Sequence, residues 1–180
     1  MKNPILLRQP GAAAVTLAAP LAALDTADAV KHLNSMDRDD AAAVLAALPV
    51  PRAVELLEQP ELRDASVLVA RQDLALAAGW LGQMAHDRAT DIFQGLDAKH
   101  RDQLLWPLDP DTRDAIRKLL RYPPNTAGAL MTTEFVAVPA DWTVGRTLQY
   151  VREVERSRET VYAIYLLDPR AQTLVQVVTM

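Results

Sequence analysis

YPPNTAGALMTTEFVAV, residues 122–138, divides two kinds of sequence. Upstream lie Ala- and Leu-rich segments whose apolar residues recur at helical spacing. Downstream lie short runs rich in β-branched and aromatic residues. The two prolines at 123 and 124 end the last helix of the first part, because proline lacks the amide that a helix needs and restricts the residue before it. The stretch therefore joins a helical array to a unit containing strands.

The helical part repeats. LNSMDRDDAAAVLAALPVPRAVELL (33–57) lies over LGQMAHDRATDIFQGLDAKHRDQLL (81–105) at an offset of 48 residues (81 − 33). Leu33/Leu81, Met36/Met84, Ala41/Ala89, Val44/Ile92, Leu45/Phe93 and Leu48/Leu96 pair in this alignment, at intervals that stack side chains along one helical face. A unit of this length is expected to hold about three short helices, which bury their apolar faces against neighbouring units in a superhelix. The sequence leaves its hand open. Asp25, Asp73 and Asp97 each lead into a helical run, and LDPDTRDAIRKLL places Asp109 at an N-cap with Pro110 at the first helical position. Met36 and Met84 read as core filling, and Trp106, before Pro107, as packing at a helix end.

Beyond the seam, EFVAV (134–138), TVYAIYLLD (160–168) and TLVQVVTM (173–180) read as strands. Between the first two, Thr143 can cap a helix whose Val144, Leu148, Val151 and Val154 share a side. The order strand, helix, strand, strand leaves a sheet that wants a second helix. The last strand is apolar and uncovered, a setting for strand pairing between copies, and a homodimer is the expected assembly. The fold class is mainly α: a superhelix of short repeated helices followed by an incomplete α/β unit.

Composition narrows the function. Half of the 180 residues are hydrophobic and only 5% aromatic, so the core is built from Leu, Ala and Val. The net charge of −4 argues against a nucleic-acid backbone as partner. The absence of cysteine excludes disulfides, thiolate zinc sites and cysteine nucleophiles. His32, His86 and His100 have no metal-binding spacing, and no phosphate loop or nucleophile elbow is present. Nothing marks an enzyme. The apolar stretch 11–24 follows Lys2 and Arg8 as a signal peptide would, but prolines at 10 and 20 interrupt it. It is also shorter than the roughly 20 residues of a membrane span. A docked or frayed N-terminal helix is expected there.

The superhelix, the seam and the helix begun by WTV (142–144) together resemble the cytosolic portion of the MgtE magnesium transporter/channel family. The family pattern at the seam is roughly Y-x-x-x-T/E-A-G-x-L-M-T-x-E-Y/F-V-A-V. The resemblance implies an N-terminal segment (1–24), a helical N domain (25–121), a hinge (122–133) and part of a first CBS (cystathionine-β-synthase-type) domain (134–180). It also implies the rest of the CBS pair and a transmembrane pore domain as partners, on the cytoplasmic side of the membrane. Magnesium would sit between the helical and CBS domains and set whether they dock. With the chain ending in or just after a strand, no nucleotide is expected in this fragment.

Asp87 and Asp91, four residues apart, share a helix face, where like charges oppose each other by a few tenths of a kcal/mol and a cation would reverse the sign. By spacing alone a solvated face is the commoner explanation and a metal role the rarer one, since exposed acidic pairs are ordinary. By resemblance they align with the acidic pair that the family uses for magnesium. A second acidic position of the family falls at Ala43 here. Asp39 and Asp40, one turn earlier, are weaker candidates, equally suited to favourable charge at a helix N-terminus. The family's partner carboxylates lie mostly in the later CBS sequence. The competing reading is a helical-repeat adaptor with no ion-sensing role.

Overall fold

The computed structural model describes residues 12–123, 126–133, 135–154 and 162–179, and the chain divides into two compact units, Met1–Met131 and Thr132–Met180. In the first unit the described helices are α1 (Ala12–Ala23), α2 (Thr26–Ser35), α3 (Arg38–Ala47), α4 (Val50–Leu57), α5 (Ala65–Ala70), α6 (Leu74–Leu81), α7 (His86–Gln94), α8 (Ala98–Leu105) and α9 (Pro110–Leu119). A 3-10 turn, Ala127–Leu130, follows.

Short helices follow from frequent caps. Asp25, Asp37, Asp73, Asp97 and Asp109 each accept a backbone N–H from two or three residues ahead, satisfying amides that a helix start leaves bare. The caps of α2, α4, α6 and α8 fall at Asp25, Pro49, Asp73 and Asp97, 24 residues apart (49 − 25, 73 − 49, 97 − 73). The packing obeys the same period: α1 packs on α3, α3 on α5, α5 on α7 and α7 on α9, while α2 packs on α4, α4 on α6 and α6 on α8. The repeating unit is therefore two helices in 24 residues, and a 48-residue offset spans four helices instead of the expected three. Pro49 and Ala85 replace cap aspartates, and α5 starts late at Asp64, so the shorter period is hidden in the letters.

Asp64 adopts a left-handed backbone (φ 57°), a conformation that aspartate tolerates better than most residues. The loop before it is clasped by Asn34, whose amide donates to the Glu61 carbonyl (2.9 Å) and accepts the Arg63 N–H (2.8 Å). The core of this unit is Leu, Ala and Val around fully buried Trp80 and Phe93. Met84 is buried and Met36 packs against the core, as core filling requires. Trp106 does not pack at a helix end: it is 80% exposed, because the buried turn of α8 ends with Leu104 and Leu105. α1 docks through Ala14, Ala18 and Leu21.

The second unit contains β1 (Val136–Pro139), α10 (Val144–Val154), β2 (Ala163–Leu167) and β3 (Leu174–Thr179). The sheet order is β1-β2-β3, with β1 parallel and β3 antiparallel to β2. Asp168 turns the chain from β2 to β3 by accepting the N–H groups of Arg170 and Ala171. Thr143 caps α10 through Arg146 N–H (3.3 Å). The covered face is small: Val136, Val138 and Ile164 meet Val151, with Trp142, Tyr150, Val154 and Leu166 around them. Val144 (76% exposed) and Leu148 therefore lie outside the core that their spacing suggested. Every residue of β3 is exposed. The predicted strand residues Glu134, Thr160, Val161 and Met180 lie outside the described residues.

Candidate functional site

Asp87 stands in the first turn of α7, where the helix dipole favours a carboxylate. The N-cap of this helix, Ala85, has no side-chain acceptor. Glu58, at the end of α4, supplies one from outside: its Oε1 accepts the Ala85 N–H at 2.8 Å. The Oδ1 of half-buried Asp87 is itself buried without a hydrogen-bond partner, a costly state for a carboxylate oxygen.

Asp91 lies one turn on, its side chain 48% exposed, and its Oδ2 accepts Nη1 of Arg88 at 2.8 Å. Arg88 is only 21% exposed. Its Nε donates to the Glu58 carbonyl (2.9 Å), and its Nη2 reaches the carbonyls of Gln59 (3.3 Å) and Leu57 (3.4 Å). Those carbonyls close α4, where a cation is favoured. Arg88 thus ties the end of α4 to the start of α7 and holds one carboxylate of the acidic pair.

Asp39 and Asp40 occupy the first turn of α3, and both of their backbone N–H groups donate to Asp37 Oδ1 (2.9 and 3.0 Å). The Asp40 N–H holds the Asp37 carboxyl below its ordinary value, while the Asp37 charge raises that of Asp40. Asp39 pairs with Arg71 Nε at 2.7 Å. Since α3 packs on α5 and α5 on α7, a helix separates this pair from Asp87 and Asp91. Among the described residues no three His, Asp or Glu side chains converge to hold a metal. His100 is bound to Asp97 at 2.7 Å.

The donor chemistry fits part of a magnesium shell. Magnesium takes oxygen ligands, keeps several waters and is commonly held by one or two carboxylates, and the unpartnered Asp87 oxygen is a donor of that chemical type. Sequence reasoning passed over Arg88 and Glu58. The three-residue step from Arg88 to Asp91 was a readable ion-pair signal; the reach of Glu58 to Ala85 had none, because it joins helices far apart in the chain.

Residues 24–125 match the family model for the MgtE intracellular N domain. The magnesium transporter MgtE of Thermus thermophilus is 31% identical over 132 residues, covering 72% of this chain and 29% of that protein. The magnesium transporter MgtE of Enterococcus faecalis is 42% identical over 53 residues, 29% of this chain and 12% of that protein. The chain spans less than a third of the length of these relatives. The crystal structure of the cytosolic domain of the Mg2+ channel MgtE in complex with ATP superposes with a TM-score of 0.80 at 27% identity, covering 91% of this chain and 67% of that one. The soluble part of a magnesium transporter shares the fold with a TM-score of 0.74 at 24% identity, over 93% of this chain and 71% of that one. With the matched helical domain extending over more than half of its residues, the chain belongs to the MgtE intracellular N domain family.

Proposed function

We propose that this chain is the magnesium-sensing regulatory region of an MgtE-type magnesium transporter, non-catalytic and positioned on the cytoplasmic side of the membrane. In this reading the helical unit and the CBS-like unit dock when magnesium binds carboxylates that otherwise repel, and their docking gates a pore domain elsewhere in the protein. An ion that favours one of two arrangements is sufficient for such control. The observation that carries the reading is Asp87: a carboxylate beside Asp91 on a family N domain, with one oxygen buried and unpartnered. Asp87 and Asp91 are the proposed ligands, with Asp39 and Asp40 secondary.

The boundaries proposed for function are 25–121 for the sensing superhelix, 122–133 for the hinge and 134–180 for the partial CBS domain. The solved MgtE cytosolic domain was determined with ATP; the present reading assigns no nucleotide to this chain, and titration calorimetry with ATP checks that. A homodimer is part of the reading, supported by the exposed edge strand β3.

The test is protease protection of the seam at residues 121–135 during titration with millimolar Mg2+. Protection that rises with magnesium and is lost in Asp87→Asn and Asp91→Asn supports sensing. Protection indifferent to magnesium, in a chain that still captures protein partners, supports the adaptor.

A further inference from the structure

We propose that Arg88 is a resident counter-ion of the Asp87/Asp91 pair, which a divalent cation must displace from Asp91, and that Arg88 thereby sets the ion concentration at which the pair fills. The proposal rests on the magnesium-sensing reading above and concerns how that site is regulated.

Three observations carry it. Arg88 is placed by α4, not by Asp91: its Nε and Nη2 are anchored on the carbonyls of Glu58, Gln59 and Leu57, and only Nη1 serves Asp91. Giving up Asp91 therefore removes one contact and leaves the guanidinium, with its charge, beside the site. Burial groups Arg88 with Arg52, 14% exposed in its pair with Glu55, and sets both apart from more open pairs. The arginines of Arg38–Asp64 and Arg71–Asp39 are 58% and 37% exposed, so solvent screens them. Arg88 at 21% acts on its surroundings through less water. Finally, Arg88 serves one carboxylate only. The Asp87 Oδ1 receives no donor, so the guanidinium is hydrogen-bonded to Asp91 and not to that oxygen. An arriving Mg2+ meets the two carboxylates together with the repulsion of a fixed guanidinium. The result is a site that fills only when the ion is plentiful.

The experiment measures Mg2+ binding to the full chain by calorimetry, with free Mn2+ followed by electron paramagnetic resonance as a second probe. Arg88→Gln is expected to bind at least about fivefold tighter than wild type, the lower end of typical site coupling. Arg88→Lys, which keeps the charge, stays within about twofold of wild type on the same scale. Adding Asp91→Asn to Arg88→Gln abolishes the gain. If Arg88→Gln binds no tighter while Asp87→Asn weakens binding, the counter-ion role is overturned and magnesium sensing stands. If no variant, Arg88→Gln included, binds either ion saturably, both are overturned. Because Arg88 also ties α4 to α7, the wild-type Arg88 Nε–H resonance provides a measurement that needs no variant. It is expected to shift saturably with Mg2+; an unmoved Arg88 resonance under saturating Mg2+ overturns the proposal.

Discussion

Gly95 lies so close to Ser66 that a Cβ added to the glycine would stand 2.5 Å from the serine Oγ and 2.7 Å from its Cβ. The contact joins the end of α7 to α5 and needs both residues to be small. Gly95→Ala forces backbone to move and is expected to destabilise the superhelix by about 1–3 kcal/mol. Gly79, exposed inside α6, has open space where a Cβ would stand, with nothing within 4 Å. Gly79→Ala is expected to stabilise by up to about 1 kcal/mol through helix propensity. Urea melts followed by circular dichroism compare the two; equal effects would contradict the close approach.

The tryptophans make a second contrast. Trp80 is fully buried and Trp106 is 80% exposed. Trp80→Ala is expected to cost about 3–5 kcal/mol, and Trp106→Ala to change stability by no more than about 0.5 kcal/mol. Acrylamide quenching of Trp80→Phe and Trp106→Phe proteins, each also carrying Trp142→Phe to leave one emitter, separates the two emissions, since Trp106 is open to the quencher and Trp80 is not.

Acid should unfold the helical unit through its caps. The His100 N–H and imidazole hold Asp97 below its ordinary value, Thr112 does the same for Asp109, and the Asp40 N–H for Asp37. A depressed carboxyl means that the unfolded chain binds the proton more tightly. These groups therefore stabilise the fold above about pH 4 and withdraw that stability as pH falls through their folded values. Asp97→Asn keeps a cap acceptor without the titration. Its acid-unfolding curve is expected to be shallower than that of wild type, read by helical circular dichroism from about pH 5 down to about pH 2, the range in which such carboxyls titrate.

Self-association is expected to depend on β3, which is an edge strand with Val175, Val177 and Val178 exposed. Charged residues blunt such edges. Sedimentation should show a concentration-dependent dimer that Val177→Lys weakens; a wild-type monomer across the accessible range would remove the dimer from the proposed function.

Features governed by neighbours in the chain were legible without a structure. The cap aspartates at 25, 73, 97 and 109 act on amides three residues away, and the change from helical spacing to β-branched runs at 122–138 is visible in the letters themselves. The acidic pair at 87 and 91 could be found because a helix places residues four apart on one face.

Tertiary structure decided what those elements meet. That the helices stack in two rows every 24 residues, that α5 begins at a left-handed Asp64, that Trp106 faces solvent and that Arg88 reaches the end of α4 all depend on groups distant in sequence coming together, about thirty residues apart in the case of Arg88 and Glu58. Local chemistry starts and stops a helix within a turn, but which of its sides finds a neighbour, and which carboxylate is left without one, is settled only when the whole array packs.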